Sequence, residues 1–594
     1  MENLPAVLPP SPSKDKVVEL IDANPLPKDP KTNETIRFAY GTAGFRYDAK
    51  LLESVMVRVG IFAATRSQCL GEPVGVMVTA SHNDESYNGV KIADPNGGMM
   101  TADGERLAVQ VANEPDAETV YKLLTDAAAA VAVAAKSADT AKATTTVPVV
   151  HIGRDTRSHS PALTDLTIQA ARAMGAQVLS HGVVTTPILH YCVMQHNTKY
   201  LPPLIPPRPN VMGYYEQLTN AYMSLLRTGT ADADSLVSTP LVVDCACGVG
   251  FAHAERLKTT LQDMGAKRIL QPRNAPNDGP LNDGCGSEHV QKGICPPKWY
   301  SKDESSDATY AASLDGDSDR IVFFTQTPAF SLLDGDKIAV LICDFLQEQV
   351  AQLKTTAGDS LLPLKLGVVQ TAYANGASTE YLKKILGDDQ VLFAKTGVKH
   401  VHAAAHEAFD VGVYFEANGH GTVLFGDNFY KFLAHADTVA RGCPALQRLQ
   451  LLPALINQSV GDALSDLLLV DAILQLQNRD IAAWDNLYTD LPSRQCKVKV
   501  EDRTMIKTNA NETRCTAPQQ LQDELDKAMA AMPGSRCFVR PSGTENVVRV
   551  YAEAPTTAQA DALATEAAAL VHKICAGTET PPTFGVKKRK SDEI

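Results

Sequence analysis

The stretch VGVMVTASHN, residues 74–83, is a run of β-forming residues that ends in a short polar segment. The same order, an apolar run followed at once by a polar or glycine-rich segment, recurs along the chain. The other examples are VPVVHIGRDTR (147–157), TPLVVDCACGVG (239–250), AASLDGDSDR (311–320), LKLGVVQTAYANG (364–376), VGVYFEANGHG (411–421) and SRCFVRPSGT (535–544). A strand followed by a functional loop and a helix is the repeating unit of α/β folds, where ligands gather at the carboxyl ends of strands.

Helical stretches lie between these runs. SPALTDLTIQAARAMGA, residues 160–176, begins with Ser160 as a predicted cap and Pro161 in the first turn, and it ends on Gly175. Together the two patterns predict an α/β fold with mixed or parallel sheets flanked by helices.

The composition limits the classes of function. The chain has 594 residues, enough for three or four domains, and a formal net charge of -13 argues against nucleic acid or an anionic membrane as the main partner. The twelve cysteines are scattered, which indicates a reduced, intracellular protein. No window approaches the roughly 20 apolar residues that a membrane helix needs. We therefore expect a cytoplasmic protein whose partners are small molecules, with a monomer preferred over a dimer.

Three segments stand apart from the strand pattern. The proline-dense residues 199–210 are a predicted link between domains. The alanine-rich residues 125–148 are predicted to form either a helix or a mobile surface insert without a site. The basic run Lys587–Lys590 is interpreted as a solvated tail in preference to a nuclear signal.

The alternating carboxylates of LDGDSDR predict a metal site. Asp315, Asp317 and Asp319 can converge on one hard cation through oxygen atoms, which suits Mg²⁺. A calcium-binding EF-hand loop would need Gly and Glu at the sixth and twelfth positions, where this chain has Arg320 and Gln326. A solvated acidic turn is less favoured, because three neighbouring carboxylates repel one another unless a cation lies among them.

Ser81 is the candidate nucleophile. The G-x-S-x-G elbow of hydrolases is absent, since Asn83 stands where the second glycine would be. His82 is a poor base for Ser81, because adjacent side chains in an extended segment point to opposite sides. A hydroxyl beside Mg²⁺ and cationic side chains is instead suited to carrying a phosphoryl group.

RPSGTENVVRV near the C-terminus suits a phosphate. Arg540 and Arg549 supply two guanidinium groups, while Ser542 and Thr544 add hydroxyls around Gly543. A simple turn would explain the proline and the glycine but not the two arginines and two hydroxyls together. We call Arg540–Thr544 with Arg549 the phosphate clamp.

FEANGHG offers groups that bind sugar hydroxyls and amides. Glu416 and Asn418 flank Ala417 on a glycine-bearing loop between two predicted strands, with His420 following. An ordinary hairpin turn would satisfy this pattern equally well. We call Glu416–Asn418 the sugar loop.

In this order the motifs resemble the α-D-phosphohexomutase superfamily, over about Tyr40 to Glu553. Within it, YFEANGHGT, TGVKHVH (396–402) and RPSGTENVVRVYAEA are most similar to the eukaryotic phosphoacetylglucosamine mutases. The resemblance implies a heart-shaped, four-domain architecture around a central cleft. The implied domains are 1–205 with the phosphoserine loop, 206–330 with the metal loop, 331–470 with the sugar loop and 471–594 with the phosphate clamp.

The resemblance also implies roles for the site residues. Ser81 would be the phosphorylated serine and, with the three aspartates, a ligand of one Mg²⁺. The implied catalytic set is Ser81, Lys91, Arg46 and the adjoining His82. The implied substrate-binding set is Glu416, Ala417, Asn418, Arg540, Pro541, Ser542, Gly543, Thr544, Arg549, Arg320, Lys399 and His400.

The implied reaction interconverts N-acetylglucosamine 6-phosphate and 1-phosphate for UDP-N-acetylglucosamine synthesis, with a hexose 1,6-bisphosphate as primer. The chain departs from the family pattern at three positions. It has Asp84 where Pro is common, Ser318 where Ala or Gly is common, and Cys247 where Asn is common. Two alternatives stay open: a mutase for glucose or mannose phosphates, whose sugar loop more often has Ser at position 418, and a sugar-phosphate sensor without turnover.

Overall fold

The computed structural model describes residues 13–41, 44–137, 147–203, 205–229, 240–300, 310–326, 329–543 and 545–585, and the backbone alone for 128–137. The chain divides into two compact units. Unit 1 comprises Met1–Leu332 and Gln447–Arg479, and unit 2 comprises Leu333–Leu446 and Asp480–Ile594. Within the described residues, no helix is long and apolar enough to cross a membrane. The predicted four-domain division stays a prediction.

The described residues form nineteen strands and eighteen α-helices. The strands are β1 (Phe45–Asp48), β2 (Val74–Val78), β3 (Tyr87–Ala93), β4 (Val149–Arg154), β5 (Gln177–Val183), β6 (Leu241–Asp244), β7 (Leu270–Arg273), β8 (Ala311–Leu314), β9 (Ile321–Thr325), β10 (Ser331–Leu333), β11 (Leu366–Thr371), β12 (Val391–Ala394), β13 (Val411–Phe415), β14 (Gly421–Phe425), β15 (Ser493–Lys499), β16 (Lys507–Thr508), β17 (Cys515–Ala517), β18 (Arg536–Pro541) and β19 (Val547–Glu553). The helices are α1 (Lys14–Ala23), α2 (Glu53–Leu70), α3 (Ala102–Ala112), α4 (Ala117–Ser137), α5 (Ser160–Ala173), α6 (Thr186–His196), α7 (Val211–Leu226), α8 (Gly250–Asp263), α9 (Ser287–Gly293), α10 (Gly335–Ala357), α11 (Gly376–Leu386), α12 (Val398–Ala408), α13 (Asp427–Val439), α14 (Pro444–Leu455), α15 (Ala463–Leu476), α16 (Ile481–Asp485), α17 (Gln519–Ala530) and α18 (Thr557–Ile574).

Unit 1 contains two five-stranded mixed sheets, in the orders β1-β3-β2-β4-β5 and β10-β9-β8-β6-β7. In the first sheet β2 is parallel to β4 and antiparallel to β3. In the second sheet β6 is parallel to both of its neighbours. Apolar residues of the first sheet pack with α2 and α5 in one buried core that includes Val76, Ile152 and Phe62. Because β2 and β8 are buried along their whole length, the loops that follow them start from fixed points.

A late helix completes unit 1. Helix α15 is buried from Ala463 to Gln475, and Asp462 caps it by accepting from the amides of Leu464 and Ser465. Two tyrosines of α7 bind this region: the Tyr214 hydroxyl donates to Asp462 at 2.9 Å, and the Tyr222 hydroxyl donates to Asp471 at 2.6 Å.

Unit 2 contains a four-stranded sheet, β12-β11-β13-β14, a three-stranded sheet, β15-β19-β18, and the ribbon β16-β17. The first is mixed, since β11 is parallel to β12 and β13 while β14 is antiparallel to β13. The second is antiparallel, and its core packs against α17 and α18.

Two predicted helical segments can be compared directly with the structure. Helix α5 ends as predicted, with Gly175 at φ +79, but its cap is His159, and Ser160 is the first helical residue. The Ser160 hydroxyl donates to Asp155 at 2.6 Å instead of capping an amide. The alanine-rich segment is helical as far as Ser137, where α4 ends, while residues 138–146 and Lys587–Lys590 lie outside the described residues.

Candidate functional site

Ser81 follows β2 in a loop bent toward the acidic segment. The residue is fully buried and has φ +52, in the left-handed region that non-glycine residues seldom adopt. Its amide donates to the Thr79 hydroxyl at 3.0 Å, and its own hydroxyl donates to Asp315 Oδ2 at 2.6 Å. The backbone conformation therefore aims the serine hydroxyl at the predicted metal ligands.

Two side chains from other loops hold the carbonyl groups of this turn. Arg157 Nη2 donates to the Asn83 carbonyl at 2.6 Å and to the Ser81 carbonyl at 3.3 Å. Asn282 Nδ2 donates to the same two carbonyls, at 3.2 Å and 3.0 Å. Neither residue was predicted from the sequence. The signal for Arg157 was its place in HIGRDTR, directly after a strand, whereas Asn282 had no comparable signal.

His82 does not point away from Ser81, so that prediction is wrong. Its Nδ1 lies 3.4 Å from Ser81 Oγ, because the left-handed turn at Ser81 replaces the extended backbone on which the prediction depended. Burial lowers the pKa of His82 far below its usual range, and the positive charges of Arg320 and Arg46 lower it further. The ring is neutral at pH 7, with Nε2 at 3.2 Å from Glu288 Oε2.

The three aspartates after β8 form a buried cluster. One carboxylate oxygen of each of Asp315, Asp317 and Asp319 lies within 4.8 Å of the others. Burial raises the pKa of Asp315 well above its usual range, and the charges of Asp319 and Asp317 add to that rise. Asp317 Oδ1 is buried without a hydrogen-bond partner among the described residues. A hard divalent cation would relieve both the repulsion and the unsatisfied oxygen, so these residues fit Mg²⁺.

Lys91 lies on β3 against the acidic cluster. Its Nζ donates to Asp317 Oδ2 at 2.8 Å and to Asp319 Oδ2 at 2.7 Å. Burial alone lowers the pKa of Lys91, but the two carboxylates outweigh burial and the net pKa is raised. The Thr186 hydroxyl also donates to Asp317 Oδ2, at 2.6 Å, and was not predicted. Lys91 therefore remains protonated beside Asp317 and Asp319.

Two arginines complete this side of the site. Arg46 on β1 donates from Nη1 to Asn83 Oδ1 at 3.1 Å, and burial lowers its pKa, with Arg320 lowering it further. Arg320 Nε lies 3.7 Å from Asp319 Oδ1. Unit 1 thus brings together Ser81, His82, Arg46, Lys91, Arg320 and the three aspartates. Asp84, one of the three departures from the family pattern, has an exposed side chain.

The sugar loop of unit 2 is a tight turn between β13 and β14. Asn418 Oδ1 accepts from the His420 amide at 2.9 Å, and Asn418 Nδ2 lies 3.5 Å from Glu416 Oε2. Glu416 Oε1 accepts from the Gly397 amide at 3.1 Å. Gly397 immediately precedes α12, whose first turn carries Lys399 and His400. The structure therefore places the predicted TGVKH segment beside the sugar loop.

The phosphate clamp is built on the β18–β19 hairpin. Arg540 and Arg549 stand directly opposite each other in the antiparallel register, and Pro541 pairs with Val548. Like charges at opposite positions are unfavourable without an anion, and Arg549 Nε is buried without a partner among the described residues. The turn continues through Ser542, whose amide donates to the Val547 carbonyl at 2.9 Å, and Gly543. Thr544 lies outside the described residues.

Two further residues of unit 2 contact Arg540, and neither was predicted. Arg540 Nε donates to the Tyr373 hydroxyl at 3.1 Å, and the guanidinium lies over the Tyr373 ring. Arg540 Nη1 lies 3.7 Å from Glu512 Oε1. These contacts orient the guanidinium within unit 2.

Comparison with known proteins places this site in a family. Profiles match for phosphoacetylglucosamine mutase AMG1 domain III over residues 334–479, for the phosphoglucomutase/phosphomannomutase C-terminal domain over 496–570, and for the α/β/α domain I over 51–119 and 116–201. The phosphoacetylglucosamine mutase of Arabidopsis thaliana is 42% identical over 557 residues, which cover 90% of this chain and 95% of that protein. The Homo sapiens enzyme is 40% identical, covering 92% of this chain and 96% of that protein.

The chain belongs to the phosphoacetylglucosamine mutase family.

Solved structures of phosphoacetylglucosamine mutases agree. Aspergillus fumigatus N-acetylphosphoglucosamine mutase in complex with GlcNAc-6P and magnesium matches with a TM-score of 0.82 and 38% identity, covering 95% of this chain and 100% of that one. An N-acetylglucosamine-phosphate mutase of the α-D-phosphohexomutase superfamily, in its product complex, matches with a TM-score of 0.82 and 35% identity, covering 94% and 100%. The resemblance and the multi-domain α/β fold predicted from the sequence are confirmed.

Proposed function

We propose that this chain interconverts N-acetylglucosamine 6-phosphate and N-acetylglucosamine 1-phosphate, supplying UDP-N-acetylglucosamine synthesis. The observation that carries the proposal is the Ser81 hydroxyl, buried and hydrogen-bonded at 2.6 Å to Asp315 of a three-aspartate cluster. Ser81 accepts and returns a phosphoryl group, and a 1,6-bisphosphate of the sugar is the intermediate and primer. Family membership and the named complexes of relatives support this choice of substrate.

The residues of unit 1 carry the transfer step. Asp315, Asp317 and Asp319, with an oxygen of phosphorylated Ser81, would hold one Mg²⁺, whose charge would offset that of the transferred phosphoryl group. Lys91 holds two of the carboxylates and adds a positive charge to the acidic cluster to which Ser81 is hydrogen-bonded. Arg46 fixes the Asn83 side chain and adds positive charge. His82 lies with its Nδ1 near Ser81 Oγ and lines the transfer site as a neutral ring, since its lowered pKa makes it a weak base.

The residues of unit 2 carry recognition. Glu416 and Asn418 would bind ring hydroxyls and the acetamido group, with Ala417 between them and Lys399 and His400 alongside. Arg540, Pro541, Ser542, Gly543, Thr544 and Arg549 would bind the phosphate that is not transferred, and Arg320 in unit 1 would contact the sugar phosphate. Because the bisphosphate must present each end to Ser81 in turn, the sugar loop has to accept the ring in two orientations.

Replacement of the nucleophile tests the proposal. We expect Ser81→Ala to lose roughly three orders of magnitude of turnover or more, while substrate binding persists. A coupled assay should be run side by side on the 6-phosphates of N-acetylglucosamine, glucose and mannose, with peptide mass spectrometry for phosphate on Ser81. Full activity of Ser81→Ala refutes the mechanism, whereas a preference for glucose or mannose refutes the choice of sugar.

We further propose that the protein acts in the cytoplasm as a monomer, with small molecules as its only partners. All twelve cysteines are free, which supports a reducing compartment. Cell fractionation and light scattering on the purified protein test the two statements separately.

A further inference from the structure

We propose that Glu512 is a positioning residue that fixes the phosphate clamp relative to the sugar loop. This inference rests on the proposed function, because both structures are assigned to one sugar phosphate. Glu512 lies in the β16–β17 turn and is 4% exposed. It belongs to neither motif and was not predicted from the sequence.

One carboxylate spans two parts of unit 2. Glu512 Oε1 lies 3.7 Å from Arg540 Nη1, in the phosphate clamp. Glu512 Oε2 accepts from the Thr396 amide at 3.0 Å, in the segment before α12. A buried carboxylate with a partner on each oxygen has little rotational freedom, so it sets the separation of those partners.

The contact continues from Thr396 to the sugar loop. The next amide along the chain, that of Gly397, donates to Glu416 Oε1 at 3.1 Å. Consecutive peptide groups thus hold two carboxylates, Glu512 on one side and Glu416 on the other. Gly397 has φ +120, which a residue with a side chain rarely adopts. The backbone that presents these two amides therefore requires glycine at this position.

The backbone around Glu512 supports a role for its side chain. Glu512 has φ +58, a conformation in which glycine or asparagine would be less strained. The turn is held in this shape by Asn509, whose carbonyl accepts from the Glu512 amide at 3.1 Å and whose Nδ2 donates to the Thr513 hydroxyl at 3.0 Å. The carboxylate therefore reaches its two partners from a backbone conformation that costs energy.

The charge of Glu512 argues for positioning and against phosphate binding. A carboxylate 3.7 Å from the Arg540 guanidinium competes with any anion for that guanidinium. Removing the charge alone should therefore tighten the binding of a simple anion. The benefit of Glu512 has to lie in orienting Arg540, whose Nε is held separately by the Tyr373 hydroxyl at 3.1 Å.

The experiment compares Glu512→Ala with Glu512→Gln, in the full-length protein. Glu524→Ala is the matched control, because Glu524 lies on nearby α17 and pairs with Lys527 at the surface. The measurements are kcat and KM for N-acetylglucosamine 6-phosphate and the inhibition constant of inorganic phosphate. We expect Glu512→Ala to lose about tenfold or more in kcat/KM. Glu512→Gln can still accept from the Thr396 amide, so it should stay within about threefold of wild type while binding inorganic phosphate more tightly.

A double variant separates positioning from a general structural role. If Glu512 acts through Gly397 on Glu416, the combination of Glu512→Ala and Glu416→Gln loses less than the product of the two single losses. The proposal is overturned if the loss of kcat/KM in the double variant equals the product of the two single-variant losses to within about twofold. An unchanged inhibition constant of inorganic phosphate in Glu512→Gln also overturns the proposal. This measurement remains informative even if Glu512→Ala fails to fold. A wild-type protein without turnover would refute the proposed function itself, whereas an active wild type with unaffected Glu512 variants would refute only this inference.

Discussion

At the scale of single residues, the site depends on conformations that most side chains avoid. Ser81 and Ser318 both have positive φ, at +52 and +60, in the two loops that meet at the Ser81–Asp315 hydrogen bond. The sequence shows which residue types are present, but it does not predict the left-handed backbone conformation of Ser81. That is why His82 was expected to point away and instead lies beside the serine hydroxyl.

Removing one metal ligand tests the aspartate cluster. We expect Asp317→Asn to lower activity by about 100-fold or more, since it weakens Mg²⁺ binding and releases Lys91 from one of its carboxylates. Chelation of wild type should abolish turnover and Mg²⁺ should restore it, with Zn²⁺ a poor substitute for hard oxygen ligands. Activity that survives thorough chelation contradicts the assignment.

Asn418 is expected to select the N-acetylated sugar. Its Oδ1 already accepts from the His420 amide, so Nδ2 is the group that can donate to an acetamide carbonyl. Asn418→Ser removes this donor, and preference over glucose 6-phosphate should fall by about 1–3 kcal/mol, measured as a ratio of kcat/KM values. Glu416→Ala is the comparison and should weaken all sugars together. Equal losses for every sugar in Asn418→Ser would show that the residue positions the ring without choosing the substrate.

At the scale of elements, the predicted motifs lie at the carboxyl ends of strands, and the phosphate clamp begins within the last residues of its strand. Ser81 follows β2, Asp315 follows β8, Glu416 follows β13 and Arg540 lies near the end of β18. Apolar, β-branched runs that end in a polar or glycine-rich segment were enough to predict these positions, because such runs are local properties of the chain. Arg157, Asn282 and Glu512 escaped prediction because they reach their partners across long sequence separations, which only the assembled sheets bring together.

The first residue of α10, Gly335, packs against the backbone of the sugar loop. A Cβ added at Gly335 would lie 1.9 Å from the Glu416 carbonyl oxygen, and the neighbouring Gly419 amide is also in contact. Gly335→Ala should therefore displace the loop and lower kcat/KM by about tenfold or more, with the effect mainly on sugar binding. Gly426→Ala is the control, because Gly426 has φ -83, which suits alanine, and an added Cβ lies 3.6 Å or more from its neighbours. Wild-type kinetics in Gly335→Ala would mean that the loop adapts to the displacement.

At the scale of the whole molecule, buried histidines predict sensitivity to acid. Burial, with smaller contributions from His181 and His196, lowers the pKa of His151 to about 3, and burial is the main cause that lowers the pKa values of His190, His253 and His402 to about 4. In the unfolded chain these groups titrate near 6.5. As the pH falls below 6.5, the unfolded chain binds protons that the folded protein does not yet bind. The free energy of unfolding therefore decreases until the pH reaches the pKa values of these histidines in the folded protein.

The expected loss is up to about 1.4 kcal/mol per pH unit for each histidine in that window. Thermal unfolding measured from pH 7.5 to 4.5 should show a falling Tm, and His151→Gln should show a shallower fall from a lower starting value. His406→Gln, at an exposed histidine, is the matched control. The same slope in His151→Gln and wild type would show that His151 does not contribute.

The division of unit 1 into two chain segments has a consequence during synthesis. A ribosome that has completed Met1–Leu332 must still translate the whole of Leu333–Leu446 before α15 emerges to meet Tyr214 and Tyr222 of α7. Until then, the nascent chain carries an apolar surface without the helix that buries it. An exposed apolar surface promotes aggregation. Slow translation of the segment Leu333–Leu446 therefore prolongs the period in which this protein depends on chaperones.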